Sequence, residues 1–103
     1  MMTQTLWNLD GRAALVTGGG AGIGRACVEM LAKAGADVMI ADRDIETATQ
    51  TAQVIARETG RDVRAVACDI LRDEQLVNAV DSTLAAFGRI NILVNIAGGG
   101  GGG

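Results

Sequence analysis

The stretch TGGGAGIG, Thr17 to Gly24, places five glycines in eight residues directly after an apolar run. Glycine loses more backbone freedom on ordering than any other residue, so a cluster of it answers a specific need. At the start of a helix, unpaired N–H groups and the positive end of the helix dipole attract an anion. Glycines allow the tight path into that helix and remove Cβ atoms that would keep a diphosphate away. The competing explanation is a glycine-rich turn that binds nothing.

Three phosphate-binding patterns can be compared with the stretch. A P-loop requires G-x-x-x-x-G-K-[ST]. Counting from Gly19 gives Gly24, then Arg25 and Ala26, so both the lysine and the hydroxyl are missing. The G-x-G-x-x-G form fails because Gly18 and Gly20 are followed by Ile23 where the third glycine belongs. The pattern that fits is T-G-x-x-x-G-x-G, with Thr17, Gly18, Gly22 and Gly24. A second chemical marker is Asp42, 18 residues after Gly24. A carboxylate about 20 residues beyond such glycines accepts from ribose hydroxyls and repels a 2′-phosphate. That favours NAD over NADP. Arg43 follows directly and offers a charge that could pair with a phosphate, and a solvated loop acid is the plain alternative for Asp42.

These residues need elements to hold them. RAALVTG, Arg12 to Gly18, reads as a buried strand. Ile23, Ala26, Cys27, Met30, Leu31 and Ala34 form one stripe of a helix, stopped by Gly35. ADVMIAD, Ala36 to Asp42, is a second buried strand. Ile45, Ala48, Ala52, Ile55 and Ala56 mark a second helix over Asp44 to Thr59, closed by Gly60. Asp62 to Cys68 alternates as a third strand, less buried at its start. Asp73 to Phe87 predicts a third helix with Leu76, Val77, Val80, Leu84 and Phe87 inward, closed by Gly88. INILVNIAG, Ile90 to Gly98, is a fourth strand, apolar on both faces. The order β-α-β-α-β-α-β, with doubly apolar strands, predicts an α/β fold: a Rossmann-like, doubly wound parallel sheet covered on both sides.

Composition narrows the partners. A net charge of −3 lacks the basic footprint of a nucleic-acid binder. No apolar stretch is long enough to span a bilayer, and no signal peptide is evident, so the expected location is cytoplasmic. Cys27 and Cys68 read as buried thiols of a reduced protein, with a disulfide the lesser alternative. There is no His, Tyr or Pro, and Lys33 is the single lysine, so most of the usual general acids and bases are missing.

Four segments in order, TGGGAGIG, the acid in IADRD, CDI at Cys68 to Ile70, and LVNIAG at Leu93 to Gly98, resemble the short-chain dehydrogenase/reductase family. The resemblance implies that Gly18, Gly22, Ile23 and Gly24 line the cofactor diphosphate and that Asp42 takes the adenosine ribose. It implies that Asp69 and Ile70 flank the adenine, and that Asn95 and Ala97 border a ribose. Asp69 could instead start helix three, and Asn95 could tie strands together. Two positions depart from the family pattern. Ile96 stands where a second asparagine is usual, at a position expected to face packing. Leu71 stands where a Ser or Thr commonly caps the third helix, which weakens that cap.

In this family hydride passes between a nicotinamide and an alcohol or ketone carbon, with a tyrosine as acid/base, a lysine beside it and a serine on the substrate oxygen. Those residues belong after the fourth strand, and the chain contains no tyrosine. No catalytic residue is therefore assigned, and no metal ligand. The expected organisation is an NAD-binding half-domain over residues 1–97 and a glycine-rich loop or tail over 98–103, truncated after the fourth strand. The resemblance implies the N-terminal portion of an oxidoreductase that is a homo-oligomer at full length, acting on a small alcohol or ketone. A dinucleotide-binding module without chemistry, or a fragment without independent activity, is the alternative. The fourth strand would lack a neighbour along one edge, so the polypeptide alone is expected to associate or be poorly soluble.

Overall fold

The computed structural model describes residues 8–96. Ala97 and the 98–103 glycine segment lie outside the described residues. The elements run β1 (Ala13–Thr17), α1 (Gly22–Lys33), β2 (Asp37–Asp42), α2 (Ile45–Thr59), β3 (Val63–Ala67), α3 (Asp73–Phe87) and β4 (Ile92–Asn95). The four strands are parallel, in the order β3-β2-β1-β4. The sheet grows from β1 toward β3 on one side, and β4 lies on the other. The strand order therefore reverses between β1 and β4. This is the Rossmann-like fold expected from the alternating strands and helices.

Strand β1 is buried at all five positions, as a central strand covered on both faces must be. Its side chains alternate between two cores. Ala14 and Val16, with Val38 and Ile40 of β2, face α1 and α2 through Val28, Leu31, Ala32, Ala48, Ala52 and Ile55. Ala13 and Leu15, with Met39 and Ala41, face α3 through Ala79 and Phe87. The half-buried Ile96 packs against the α1/α2 core, the packing role expected of a side chain that departs from the family's asparagine.

The helix faces differ from the periodicity reading in two places. In α1 the buried residues are Gly24, Val28, Leu31 and Ala32, while Ile23 is 79% and Met30 65% exposed. The helix is turned by about one residue, close to 100°. Gly24 causes this turn. A Cβ there would collide with the Gly18 carbonyl, so only glycine can face the sheet, and Val28 and Leu31 follow at helical spacing. In α3 the buried residues are Ala79, Thr83 and Phe87, with Leu76 half-buried. Val77, Val80 and Leu84 are 59%, 39% and 43% exposed. The small Ala79 and Thr83 face the sheet, and Thr83 returns its hydroxyl to Ala79 O at 2.7 Å.

Two strands also differ from expectation. Val63 at the start of β3 is its most buried residue, because β3 is an edge strand whose first residue sits under α2. Strand β4 is shorter than the apolar run and alternates between half-buried and exposed, with Leu93 66% exposed. Among the described residues it is paired on one side only, so its outer edge is unpaired.

Candidate functional site

The C-terminal ends of the strands bring Thr17, Asp42 and Asn95 to one edge of the sheet. Thr17 is opposite Ala41 on one side and Asn95 on the other, and Asp42 is opposite Ala67. The ladders continue past the strands: Gly18 N–H donates to Ala41 O at 2.7 Å, Ile96 N–H to Thr17 O at 3.0 Å, and Cys68 N–H to Asp42 O at 3.0 Å. The glycine turn thus begins at the point where the strand order reverses, the position at which open α/β sheets bind ligands.

Each glycine of the turn meets a different constraint. Gly18 and Gly22 have φ of 78° and 61°, which L side chains disfavour. A Cβ on Gly19 would come within 3.0 Å of Val28 Cγ2 and 3.1 Å of Val16 Cγ1. On Gly20 it would lie 2.8 Å from Asp42 Oδ2. At Gly19, Gly20 and Gly24 the need for glycine is therefore internal close packing. Gly22 faces open space, with nothing among the described residues within 4 Å of a hypothetical Cβ. Gly22 is the first residue of α1.

The three helix starts differ in charge. Helix α2 is capped by Asp44, whose Oδ1 accepts from Thr47 N–H at 3.1 Å and whose Oδ2 accepts from the Thr47 hydroxyl at 2.8 Å. These bonds hold the Asp44 carboxyl below the usual carboxylate range. Helix α3 begins with Asp73 and Glu74 but has no side-chain cap at Arg72. The cap position is Arg72 and not Leu71 as the sequence suggested, and the start lacks a side-chain cap; Leu71 itself is 83% exposed. Helix α1 has neither a capping side chain at Ala21 nor an acid in its first turn. Among the described residues, no cap and no first-turn acid offsets its positive end, the arrangement an anion site uses.

Asp42 stands beside this turn. Gly20 N–H donates to its Oδ2 at 3.0 Å, and Asp44 N–H to its Oδ1 at 3.0 Å. A carboxylate has about four lone-pair positions, so both oxygens keep capacity for ribose hydroxyls. Arg43 is exposed next to it. On the β4 side, the buried Thr17 hydroxyl donates to Asn95 Oδ1 at 2.7 Å. That fixes the amide orientation and leaves the Asn95 NH₂ for another acceptor.

Asp69 and Ile70 are half-buried on the turn after β3. Asp69 Oδ1 accepts from Leu71 N–H at 3.0 Å, and its own N–H donates to Gln75 Oε1 at 2.7 Å. The carboxylate thus shapes the turn that leads into α3. Burial pushes the neighbouring Cys68 thiol up, with the Asp69 charge adding to it. Both cysteines are free thiols, Cys68 buried and Cys27 half-buried.

Sequence reasoning did not single out Thr51. It is buried on the inward face of α2, and its hydroxyl donates to Gly20 O at 2.7 Å. Its spacing from Ala48 and Ile55 places it on the buried stripe, and a polar residue on such a stripe is the available signal.

Residues 12–103 match the short chain dehydrogenase family. The chain belongs to the short-chain dehydrogenase family. Similar relatives include the peroxisomal 2,4-dienoyl-CoA reductase of Danio rerio, 42% identical over 91 residues, which are 88% of this chain and 30% of the relative. The hydroxysteroid dehydrogenase of Escherichia coli superposes with a TM-score of 0.85 at 38% identity, over 91% of this chain and 40% of that one. The NADPH-dependent 3-quinuclidinone reductase of Rhodotorula rubra superposes with a TM-score of 0.79 at 29% identity, over 84% of this chain and 32% of that one. The chain therefore spans roughly a third of the length of these relatives.

Proposed function

We propose that this chain binds NAD(H), in preference to NADP(H), as the cofactor-binding portion of an oxidoreductase that interconverts an alcohol and a ketone. When bound, the nicotinamide supplies or accepts the hydride. The chain's own residues bind and orient. Gly18, Gly22, Ile23 and Gly24 take the diphosphate at the open start of α1. Asp42 takes the adenosine ribose, Asp69 and Ile70 the adenine, and Asn95 and Ala97 the second ribose. Arg43 borders the ribose position as a cation.

The observation that carries this reading is the Asp42 carboxylate held on the Gly20 amide beside the uncapped end of α1. A fixed negative charge at that place favours free ribose hydroxyls and opposes a 2′-phosphate. Relatives of this fold include an NADPH-dependent enzyme, so the preference rests on Asp42 and not on the fold. Titration of the chain with NAD and with NADP by calorimetry tests it. Tighter binding of NAD is expected; tighter binding of NADP, or of neither, would refute it.

A binding role without chemistry is favoured for the chain by itself because it contains no tyrosine. Mixing it with NAD and a panel of secondary alcohols is expected to yield no NADH. The free thiols support a reducing, cytoplasmic setting. The uncovered apolar residues of α3 and β4 support a homo-oligomer, or a longer chain, covering them. No described helix is long and apolar enough to cross a membrane.

A further inference from the structure

A closed loop of hydrogen bonds joins the glycine turn to α2. Thr51 Oγ1 donates to Gly20 O at 2.7 Å, Gly20 N–H donates to Asp42 Oδ2 at 3.0 Å, and Asp44 N–H donates to Asp42 Oδ1 at 3.0 Å. Asp44 caps the helix that carries Thr51. The two contacts at Gly20 hold the two peptide planes on either side of its Cα. Gly20 has no side chain to restrict rotation about that atom, so the hydrogen bonds supply the restriction. Both Gly20 and Thr51 are buried, and a buried carbonyl without a donor is costly. Thr51 is the only polar residue among the buried residues of α2.

We infer that Thr51 is a positioning residue for cofactor selection: its hydroxyl fixes the Gly20 peptide, and Gly20 in turn aims the Asp42 carboxylate at the ribose. This rests on the dinucleotide reading above. Without the hydroxyl, the Gly20 carbonyl seeks water, the turn reorients and the N–H leaves Asp42. The carboxylate then loses the fixed direction with which it accepts ribose hydroxyls and opposes a 2′-phosphate. Discrimination falls, although Thr51 touches no ligand.

Valine keeps the shape of Thr51 and removes the hydroxyl; serine keeps the hydroxyl and removes the methyl. Titration of the full chain with NAD and NADP should show Thr51→Val weakening NAD about fivefold to tenfold while NADP changes little, and Thr51→Ser staying within about twofold of wild type. In an Asp42→Ala background, Thr51→Val should leave the NAD-to-NADP ratio unchanged. A role in packing alone predicts the reverse order, with serine worse than valine, or equal weakening of both cofactors; either result, or no effect of valine, overturns the inference. If the wild-type chain binds neither dinucleotide, the dinucleotide reading itself fails. Hydrogen exchange at the Gly20 amide then decides whether Thr51 holds the turn: faster exchange in Thr51→Val than in Thr51→Ser supports the hold, and equal rates overturn it.

Discussion

Gly20 N–H donates to the Asp42 carboxylate across 22 residues of sequence, and the absence of a Cβ on Gly20 is what lets the carboxylate come that close. The acid is therefore oriented before any ligand arrives. Replacing Asp42 by Ala should weaken NAD binding by about tenfold or more, the range for a hydrogen bond to a charged group, and raise NADP binding relative to it. Parallel titrations of the two cofactors read the change directly.

Gly24 and Gly22 should respond differently to alanine. At Gly24 the new methyl meets the Gly18 backbone, which cannot rotate away, so about 1–3 kcal/mol of stability should be lost. At Gly22 there is space, and the cost is the left-handed backbone alone, roughly 1–2 kcal/mol. Urea unfolding of the two variants measures both. Cofactor affinity in Gly22→Ala should fall by more than its stability loss accounts for, because its methyl enters the open space at the start of α1.

Thr17 ties β1 to β4 through Asn95 at 2.7 Å. Thr17→Val keeps the buried shape and leaves the Asn95 carbonyl without this donor. A loss of about 1 kcal/mol is expected, with faster amide exchange at Ile96, whose N–H donates to Thr17 O.

Leu93 is opposite Leu15 in the ladder and so lies on the α3 face of the sheet, and Val77, Val80 and Leu84 of α3 are exposed as well. An open strand edge beside uncovered apolar side chains is a template for association. The 103-residue polypeptide should self-associate in sedimentation experiments at micromolar concentration, and Leu93→Lys should shift it toward monomer. A wild-type chain that sediments as a monomer across that range would contradict this.

The Asp44 cap gives a pH signature. Its folded carboxyl lies below the usual range, so its stabilising effect is fully present above the ordinary carboxylate pKa. It is lost as the pH falls through the lowered folded value. Asn at this position caps but does not titrate in this range. The acid side of the stability curve should therefore be shallower in Asp44→Asn than in wild type, as thermal melts across an acid series would show.

Much of this was readable from residue order. Strand β1, with small and branched apolar residues from Ala13 to Val16, reads as a strand covered on both faces, and Gly60 and Gly88 mark helix ends with φ of 75° and 81°. Helix orientation was not readable in α1 and α3. In α1 two overlapping apolar stripes compete, and a contact between Gly24 and Gly18 decides between them. In α3 the larger side chains make the more hydrophobic stripe, but the small Ala79 and Thr83 are the ones that fit against the sheet.

The sequence by itself determined the alternation of strands and helices, the parallel sheet, and the presence of a glycine turn and an acid at adjacent strand ends. Hydrophobic periodicity and backbone freedom are local properties, carried by each segment wherever it lies. Only the tertiary structure decided which face of each helix is buried, that Asp42 rests on Gly20, and that Thr51 holds the same glycine from the other side. Those contacts join residues from three separate elements. Their distances depend on how closely α1 and α2 approach the sheet, and packing sets that approach.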